Sequence, residues 1–354
     1  MSEQGIPTAW YFDEFIAEIE VNNLFESNAT YVGHRLMVPQ SNDFYVLERE
    51  NNAKVLFHQS DYYSLISNIC SHHEAVMLAD RGNTKKILCP VHKWAYSSEG
   101  KLLNAPRFDE NPCLNLENQR LIEWNGLLFH EKKLPFFNLN NEILENINFS
   151  KYQFDQMNTL IYPFNWKVFM EVFLDNYHIP AIHPGLRKLV DTTKQRWIIE
   201  NNYSAQLVKL QINLSQAGSE NYKLYQQIIM DQSLGDSADM EIMWLALYPN
   251  LMIERYPYML VISTLEPKSI TECVNYVEFY FDKEVLEKYP DFSEIAKASY
   301  NETANEDAEI CELIYQGRKS LYTKGKNQSG PHHPLMEKGL PSFYNFIIEK
   351  INKT

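Results

Sequence analysis

The sequence predicts an α+β protein in two parts, a small all-β unit followed by a larger unit that combines an antiparallel sheet with helices. Three observations carry this. The chain has 354 residues, more than the roughly 100 to 200 that one domain usually holds. Residues 29–148 read as short apolar pieces punctuated by turn residues, whereas residues 149–354 offer longer strand candidates framed by helical periodicity. Hydrophobic residues make up 45% and charged residues 22%, so a packed core is available throughout.

Taken in order, residues 10–25 place Trp10, Phe12, Phe15, Ile16 and Ile19 at roughly helical spacing. Residues 1–28 are therefore expected to form an N-terminal helix that packs on the second unit. The first unit, 29–148, contains the strand candidates HRLMV, FYVLE, KVLFH, YYSLISNIC, KKILC, LIEW and GLLFHE. Turn signals at Asn51-Asn52, Gly82-Asn83, Gly100 and Asn125-Gly126 separate them. The second unit, 149–354, begins with a helix-like stretch from Trp166 to Tyr177 and continues through SAQLVKLQINL, MEIMWLALY, LMIERYPYMLVISTLE and TECVNYVEFYF. Two acidic helices are expected at about 283–298 and 303–321, with a last amphipathic one at SFYNFIIEKI. No repeat or low-complexity tract interrupts the pattern.

Charge and cysteine usage narrow the function classes. Lys plus Arg is 32 and Asp plus Glu is 46, a net charge of −14 that argues against a phosphate-binding surface for nucleic acid. No window approaches 18 consecutive apolar residues, and the N-terminus is acidic and amphipathic, so no membrane segment and a cytoplasmic location are expected. The 5 cysteines are an odd number in a chain that needs no disulfide staples, and a cysteine with a special role is expected to be a ligand.

The first such constellation is Cys70-Ser-His72, then sixteen residues, then Cys89-Pro-Val-His92. Each short loop can present a cysteine and a histidine to one side, and two such loops can converge on a metal. A structural zinc ion and a set of unconnected core residues are the competing readings. A Rieske [2Fe–2S] cluster fits better, because it needs two thiolates on one iron and two imidazoles on the other, one of each from each loop. The second loop continues through Lys93-Trp94-Ala95-Tyr96, Gly100, Leu102 and Ala105-Pro106. Here the sequence resembles the Rieske-type ring-hydroxylating oxygenase α subunits, whose second loop runs CPxHxWxYxxxGxLxxAP. Their first loop is usually CxHRG; here His73 and Glu74 replace Arg and Gly, which touches the turn geometry and the cluster's potential. His73 is an alternative ligand by type, although the C-x-H spacing selects His72.

The second constellation is Asn165-Trp-Lys-Val-Phe-Met-Glu-Val-Phe-Leu-Asp175-Asn-Tyr177-His178-Ile-Pro-Ala-Ile-His183. Two histidines five apart do not stack on one helical face, so a break is required for both to reach one metal, and Pro180 supplies one. Two histidines and a carboxylate make the facial triad of non-haem Fe(II) oxygenases. The family pattern is NWKxxxEN, a carboxylate, YH, four residues, and H; Val172 stands where relatives carry Asn. The segment from Asn305 to Gly317 resembles the family's EDxxxxExxQxG helix, which makes Asp307 the third ligand and leaves Glu302, Glu306, Glu309 and Glu312 as a solvated face. Tyr248-Pro-Asn-Leu-Met-Ile-Glu-Arg-Tyr-Pro looks like the YPNxMINRY run of the choline-monooxygenase and glycine-betaine-demethylase branch, and SGPHHPLMEKGLPSFYNFI resembles that branch too. His332 and His333 within it are expected to be a loop pair.

The resemblance implies a larger domain of helix-grip type and a terminal oxygenase. It implies a Rieske [2Fe–2S] cluster on Cys70, His72, Cys89 and His92 and a mononuclear Fe(II) on His178, His183 and Asp307. The chain has no nucleotide or flavin fingerprint, so NAD(P)H and flavin are expected only through a partner reductase, with or without a ferredoxin. O2 and a small organic substrate complete the reaction, with hydroxylation, dihydroxylation or oxidative demethylation as outcomes. Among the 22 tyrosines some could form a cation–π cage, though sheet core and loop cover account for most rings; the branch points first to a quaternary or alkyl ammonium compound and second to an aromatic or other apolar acid. A Rieske electron carrier without oxygenase activity would need only residues 29–148. The resemblance also implies a head-to-tail homotrimer in which Asp175 hydrogen-bonds an iron-ligand histidine on one side and a cluster histidine of the neighbour on the other.

Overall fold

The computed structural model describes residues 5–26, 29–130, 138–233, 240–327 and 329–352. It has the α+β architecture that the sequence predicts, in two compact units: Glu26–Phe136, and the chain on either side of it.

The smaller unit is built from antiparallel strands. Seven of them run in the order Tyr31–His34, Leu127–His130, Asn118–Trp124, Tyr63–Ser67, Lys54–His58, Asp43–Val46 and Arg81–Asn83. Lys86–Leu88, Ala95–Ser97 and Leu102–Asn104 form a three-stranded sheet. Phe57, Ile66, Ile87, Trp94 and Tyr96 fill the core between them, so the loops that follow Ser67 and Leu88 are anchored at both ends by buried side chains. The segment HRLMV is only partly a strand. Pairing stops at His34, whose Nδ1 accepts the amide of Leu36 at 3.1 Å and turns Arg35–Met37 into a 3-10 helix.

The larger unit carries a seven-stranded antiparallel sheet in the order Tyr152–Tyr162, Glu272–Asp282, Met259–Ser269, Leu251–Tyr256, Glu241–Leu247, Tyr203–Leu210 and Val190–Ile199. The run LMIERYPYMLVISTLE is two of these strands, because Tyr258 adopts φ 63° and turns the chain after Tyr256. Alternate positions Glu254, Tyr256, Val261, Val277 and Phe279 share the sheet face on which the helices lie. The two acidic helices are a six-residue helix, Lys283–Lys288, and one continuous helix, Phe292–Thr323. Pro290 sets the break between them, since it lacks an N–H and disfavours helical backbone at Tyr289; no proline follows until the long helix has ended. The expected N-terminal helix is likewise divided, into Thr8–Tyr11, Glu14–Glu20 and Val21–Glu26, with Asp13 capping the middle piece.

The motif around Trp166 is explained by packing. Asn165 caps the helix Trp166–Phe173, its side-chain oxygen accepting the Lys167 amide at 3.1 Å. Lys167, fully buried, places its Nζ 2.7 and 2.8 Å from the two Glu20 oxygens. The Glu171 carboxylate accepts from Tyr11 and Arg318, and from Tyr344 at 3.0 Å, which ties the N-terminal segment, the long helix and the C-terminal helix Leu340–Ile351 to one point. No helix of the described residues is long and apolar enough to cross a membrane.

Candidate active site

Two loops of the smaller unit share one closure. The Cys70 amide donates to Ala75 O at 2.9 Å while the Glu74 amide donates back to Cys70 O at 2.9 Å. Correspondingly, the Cys89 amide donates to Trp94 O at 2.8 Å and the Lys93 amide to Cys89 O at 3.2 Å. Each loop needs a left-handed residue four after its cysteine, and Glu74 (φ 55°) and Lys93 (φ 59°) take it. Glu74 thus occupies a position suited to glycine, at a cost of about 1–2 kcal/mol, and the turn survives the exchange.

The loops bring their side chains together. The His72 and His92 rings are 4.7 Å apart, and His72 stacks on Trp94 at 4.7 Å. Cys70 and Cys89 are buried beneath them. Burial pushes the Cys70 thiol up, but donation from Tyr96, 3.4 Å away, from the His72 and His73 amides and from Cys89 outweighs it, and the thiol is held below its ordinary value. His72 Nδ1 is buried with no hydrogen-bond partner, as expected of an atom reserved for a metal. Two buried cysteines and two adjacent imidazoles, one of each from each loop, are the donor set that a Rieske [2Fe–2S] cluster takes. His73, exposed, packs its ring 4.2 Å from that of His72.

The second centre lies entirely in the larger unit. The helix Trp166–Phe173 ends before the histidines, and Asp175 caps the turn that follows by accepting the Tyr177 amide at 2.5 Å. His178 and His183 then flank the single helical turn Ile179–Ile182. Pro180 starts this turn rather than breaking a longer helix, as its fixed φ suits a first-turn position. His178 Nε2 and His183 Nε2 stand 2.9 Å apart, and Asp307 Oδ1 lies 3.2 Å from the first and 3.1 Å from the second. That oxygen has no hydrogen-bond geometry to either ring, and the three ligand atoms lie within 4.8 Å of one another. Three donors of this kind on one side of a point fit a mononuclear Fe(II) site with its other side open.

Carboxylates orient both rings from behind. His178 Nδ1 is 3.1 Å from Asp175 Oδ2, and His183 Nδ1 is 2.7 Å from Glu306 Oε2. Each acceptor fixes a tautomer with Nε2 free for the metal. Burial disfavours charge on His178, yet Asp175 and Asp307 push its pKa up to about 9. Burial also raises the Asp307 carboxyl, but the two imidazoles more than reverse this and hold it below the usual carboxylate range. Glu306 is a correction to the expected solvated face: its side chain is 24% exposed and faces His183. Glu302 is half-buried and accepts from Asn221 at 2.8 Å, whereas Glu309 and Glu312 are exposed as expected.

The three convergent residues form one wall of a cavity of about 60 Å³. Phe173, Trp244, Glu254 and Tyr256 belong to its other walls, and Val172 closes one side. A second hollow of about 50 Å³, sharing Phe173, Glu254, Tyr256 and Asp307, extends towards Tyr162 and Tyr300. Glu254 and Asp307 line both and Asp175 lines the first, and neither contains a lysine or arginine. Sequence reasoning missed Glu306, although it adjoins Asp307 in the helix motif, and Glu254, although it stands inside the YPNLMIERYP segment. His332 and His333 stay in a loop, where His333 Nδ1 accepts the Leu335 and Met336 amides at 3.2 and 3.1 Å.

Comparison with known proteins matches the two parts of the chain to two families. The Rieske [2Fe-2S] domain family matches residues 28–118, and the ring hydroxylating alpha subunit (catalytic domain) family matches residues 149–353. The chain is 36% identical to a putrescine 2-hydroxylase of Ralstonia nicotianae over 98% of its own length and 95% of that protein. It is 24% identical to the carnitine monooxygenase oxygenase subunit of Escherichia coli, over 97% and 93% of the two chains. A solved quaternary ammonium Rieske monooxygenase, described as revealing carnitine oxidation and inter-subunit electron transfer, superposes with a TM-score of 0.75 at 17% identity, covering 98% of this chain and 95% of that one.

Proposed function

This chain belongs to the ring-hydroxylating oxygenase α subunits with a Rieske [2Fe–2S] domain, and from that premise we propose that it is a terminal oxygenase component that hydroxylates a small alkylammonium compound. One observation carries the substrate class: the cavity beside His178, His183 and Asp307 is lined by aromatic rings and by carboxylates without a lysine or arginine. With Asp307 taken up by Fe(II), Glu254 is the buried acid left facing the cavity, and it disfavours a carboxylate substrate and favours a cation. The relatives named putrescine 2-hydroxylase and carnitine monooxygenase point the same way.

In this reading Cys70, His72, Cys89 and His92 hold the cluster, and His178, His183 and Asp307 hold Fe(II). Together these groups supply one-electron transfer and reductive O2 activation, with the balance R–H + O2 + 2 electrons + 2 H⁺ giving R–OH + H2O. The protein's own part is orientation and exclusion. Asp175 and Glu306 fix the two imidazoles, Phe173 and Trp244 keep the cavity apolar, and Glu254 with Asp307 sets its charge. The electrons come from a separate NAD(P)H-dependent flavin reductase. A homotrimer would let Asp175, 20% exposed, reach a cluster histidine of the next subunit, in keeping with the inter-subunit transfer described for the solved relative. Five free thiols suit a cytoplasmic setting.

The test is turnover by the iron-loaded protein with a reductase, NADH and ¹⁸O2 over 1,4-diaminobutane, choline, carnitine and benzoate. An ¹⁸O-labelled product from an ammonium compound is expected. Product from benzoate alone would favour the aromatic-acid alternative and overturn the substrate class.

A further inference from the structure

The Glu254 carboxylate sits where a sheet face is otherwise apolar. Its cross-strand neighbours are Trp244 and Val261, with Phe279 beyond, and it is 6% exposed. Burying a carboxylate among such residues is costly unless something compensates it. Two phenols do so in part: Tyr256 donates to Oε2 and Tyr300 to Oε1, each at 2.8 Å. Trp244 Nε1 in turn donates to the Tyr256 hydroxyl at 2.9 Å, so the group is held in one orientation. No cation pairs with it among the described residues, and Arg255 beside it belongs to the opposite face of the strand and donates to Glu241 O at 2.6 Å. Burial lifts the Glu254 carboxyl to about 7 despite the two donors, as expected of an acid that lacks a counter-ion.

Glu254 lines both hollows beside the metal-type triad. The carboxylate, already holding one phenol on each oxygen, retains lone pairs for a charged N–H donor. We propose that Glu254 is the substrate-binding residue that takes an N–H-bearing ammonium and so selects primary alkylammonium compounds over quaternary ones. A quaternary ammonium offers no N–H and would leave the acid with its two phenol donors and no charged donor. This rests on the alkylammonium reading above and deepens it.

The experiment has two arms on the metal-loaded protein. In the wild type, equilibrium binding is measured for butylammonium and its N-methyl, N,N-dimethyl and N,N,N-trimethyl forms. Affinity should fall as N–H groups are lost, by about tenfold or more for the trimethyl form; equal affinity across the series overturns the assignment without any variant. In the second arm, E254Q and E254N are compared with the wild type on 1,4-diaminobutane. KM should rise on the order of 100-fold with a smaller change in kcat, while the Rieske spectrum and iron content stay unchanged. E254N should also narrow the gap between primary and quaternary compounds. An unchanged KM in both variants overturns the role of Glu254 while leaving the alkylammonium reading standing. A wild type that binds and oxidises no ammonium compound overturns both.

Discussion

Replacing Glu306 separates a buried orienting acid from a surface one. Its Oε2 is 2.7 Å from Nδ1 of His183, whose side chain is only 1% exposed, so the ring's proton has no ready access to water as a substitute acceptor. A hydrogen bond of this charged kind contributes about 1.5–3 kcal/mol, and losing a partner of a metal-ligating histidine typically lowers metal affinity about 10–100-fold. Glu306→Gln can still present a carbonyl oxygen, so the tautomer survives and only the charge is lost; a drop of about tenfold in Fe(II) affinity is expected. Glu306→Leu leaves Nδ1–H without an acceptor and should lower affinity about 100-fold. Glu309→Gln, on an exposed position of the same helix, is the control. The assay is anaerobic competition for Fe(II) against a chelator, with the Rieske electron paramagnetic resonance signal as an internal check on folding. Wild-type affinity in Glu306→Leu would refute the argument that this acid supports the metal through His183.

Three further outcomes are expected. Asp307→Ala removes the only anionic member of the triad and should empty the iron site, whereas Glu309→Ala should not; iron counting decides, and equal content would move the third ligand elsewhere. Asp175→Asn should keep both metals and the assembly yet lose most turnover, because an amide has one acceptor oxygen and cannot accept from both His178 Nδ1 and a neighbour's imidazole; wild-type single-turnover rates in that variant would remove Asp175 from the electron path. In the metal-free protein Asp175 and Asp307 hold His178 near pKa 9 against burial, so ligation must displace a proton and Fe(II) affinity should climb about tenfold per pH unit from pH 7 to about 9, as titration at several pH values would show. The sign for stability is opposite: raised from 6.5, this group stabilises the metal-free fold fully below pH 6.5, and that contribution is lost as pH rises through about 9.

Much of the chemistry was legible in the chain because it is local. The C-x-H and C-x2-H spacings define two turns, each closed by its own pair of backbone hydrogen bonds, so no distant residue is needed to present Cys70 with His72 or Cys89 with His92. The same holds for His178 and His183 around one helical turn, and for the strands whose apolar alternation reflects one buried face. The edge strands Tyr152–Tyr162 and Val190–Ile199 were not legible, since both carry many polar residues and each contains a bulge that shifts the alternation, between Phe154 and Met157 and between Asp191 and Gln195.

Only the tertiary structure decided which acids of the helix Phe292–Thr323 face inward. Glu302, Glu306, Asp307, Glu309 and Glu312 have the same chemistry in sequence, and their difference is set by where His183 lies across the interface: its Nδ1 meets Glu306 and its Nε2 meets Asp307. Glu254 is the same case on a strand, because the burial that makes its charge consequential comes from Trp244 and Val261 on neighbouring strands and from Tyr300 on the long helix. Sequence carries side-chain identity and short-range spacing, whereas burial and counter-charge are properties of contacts between residues far apart in the chain, and these place the acids that surround the metal-type triad.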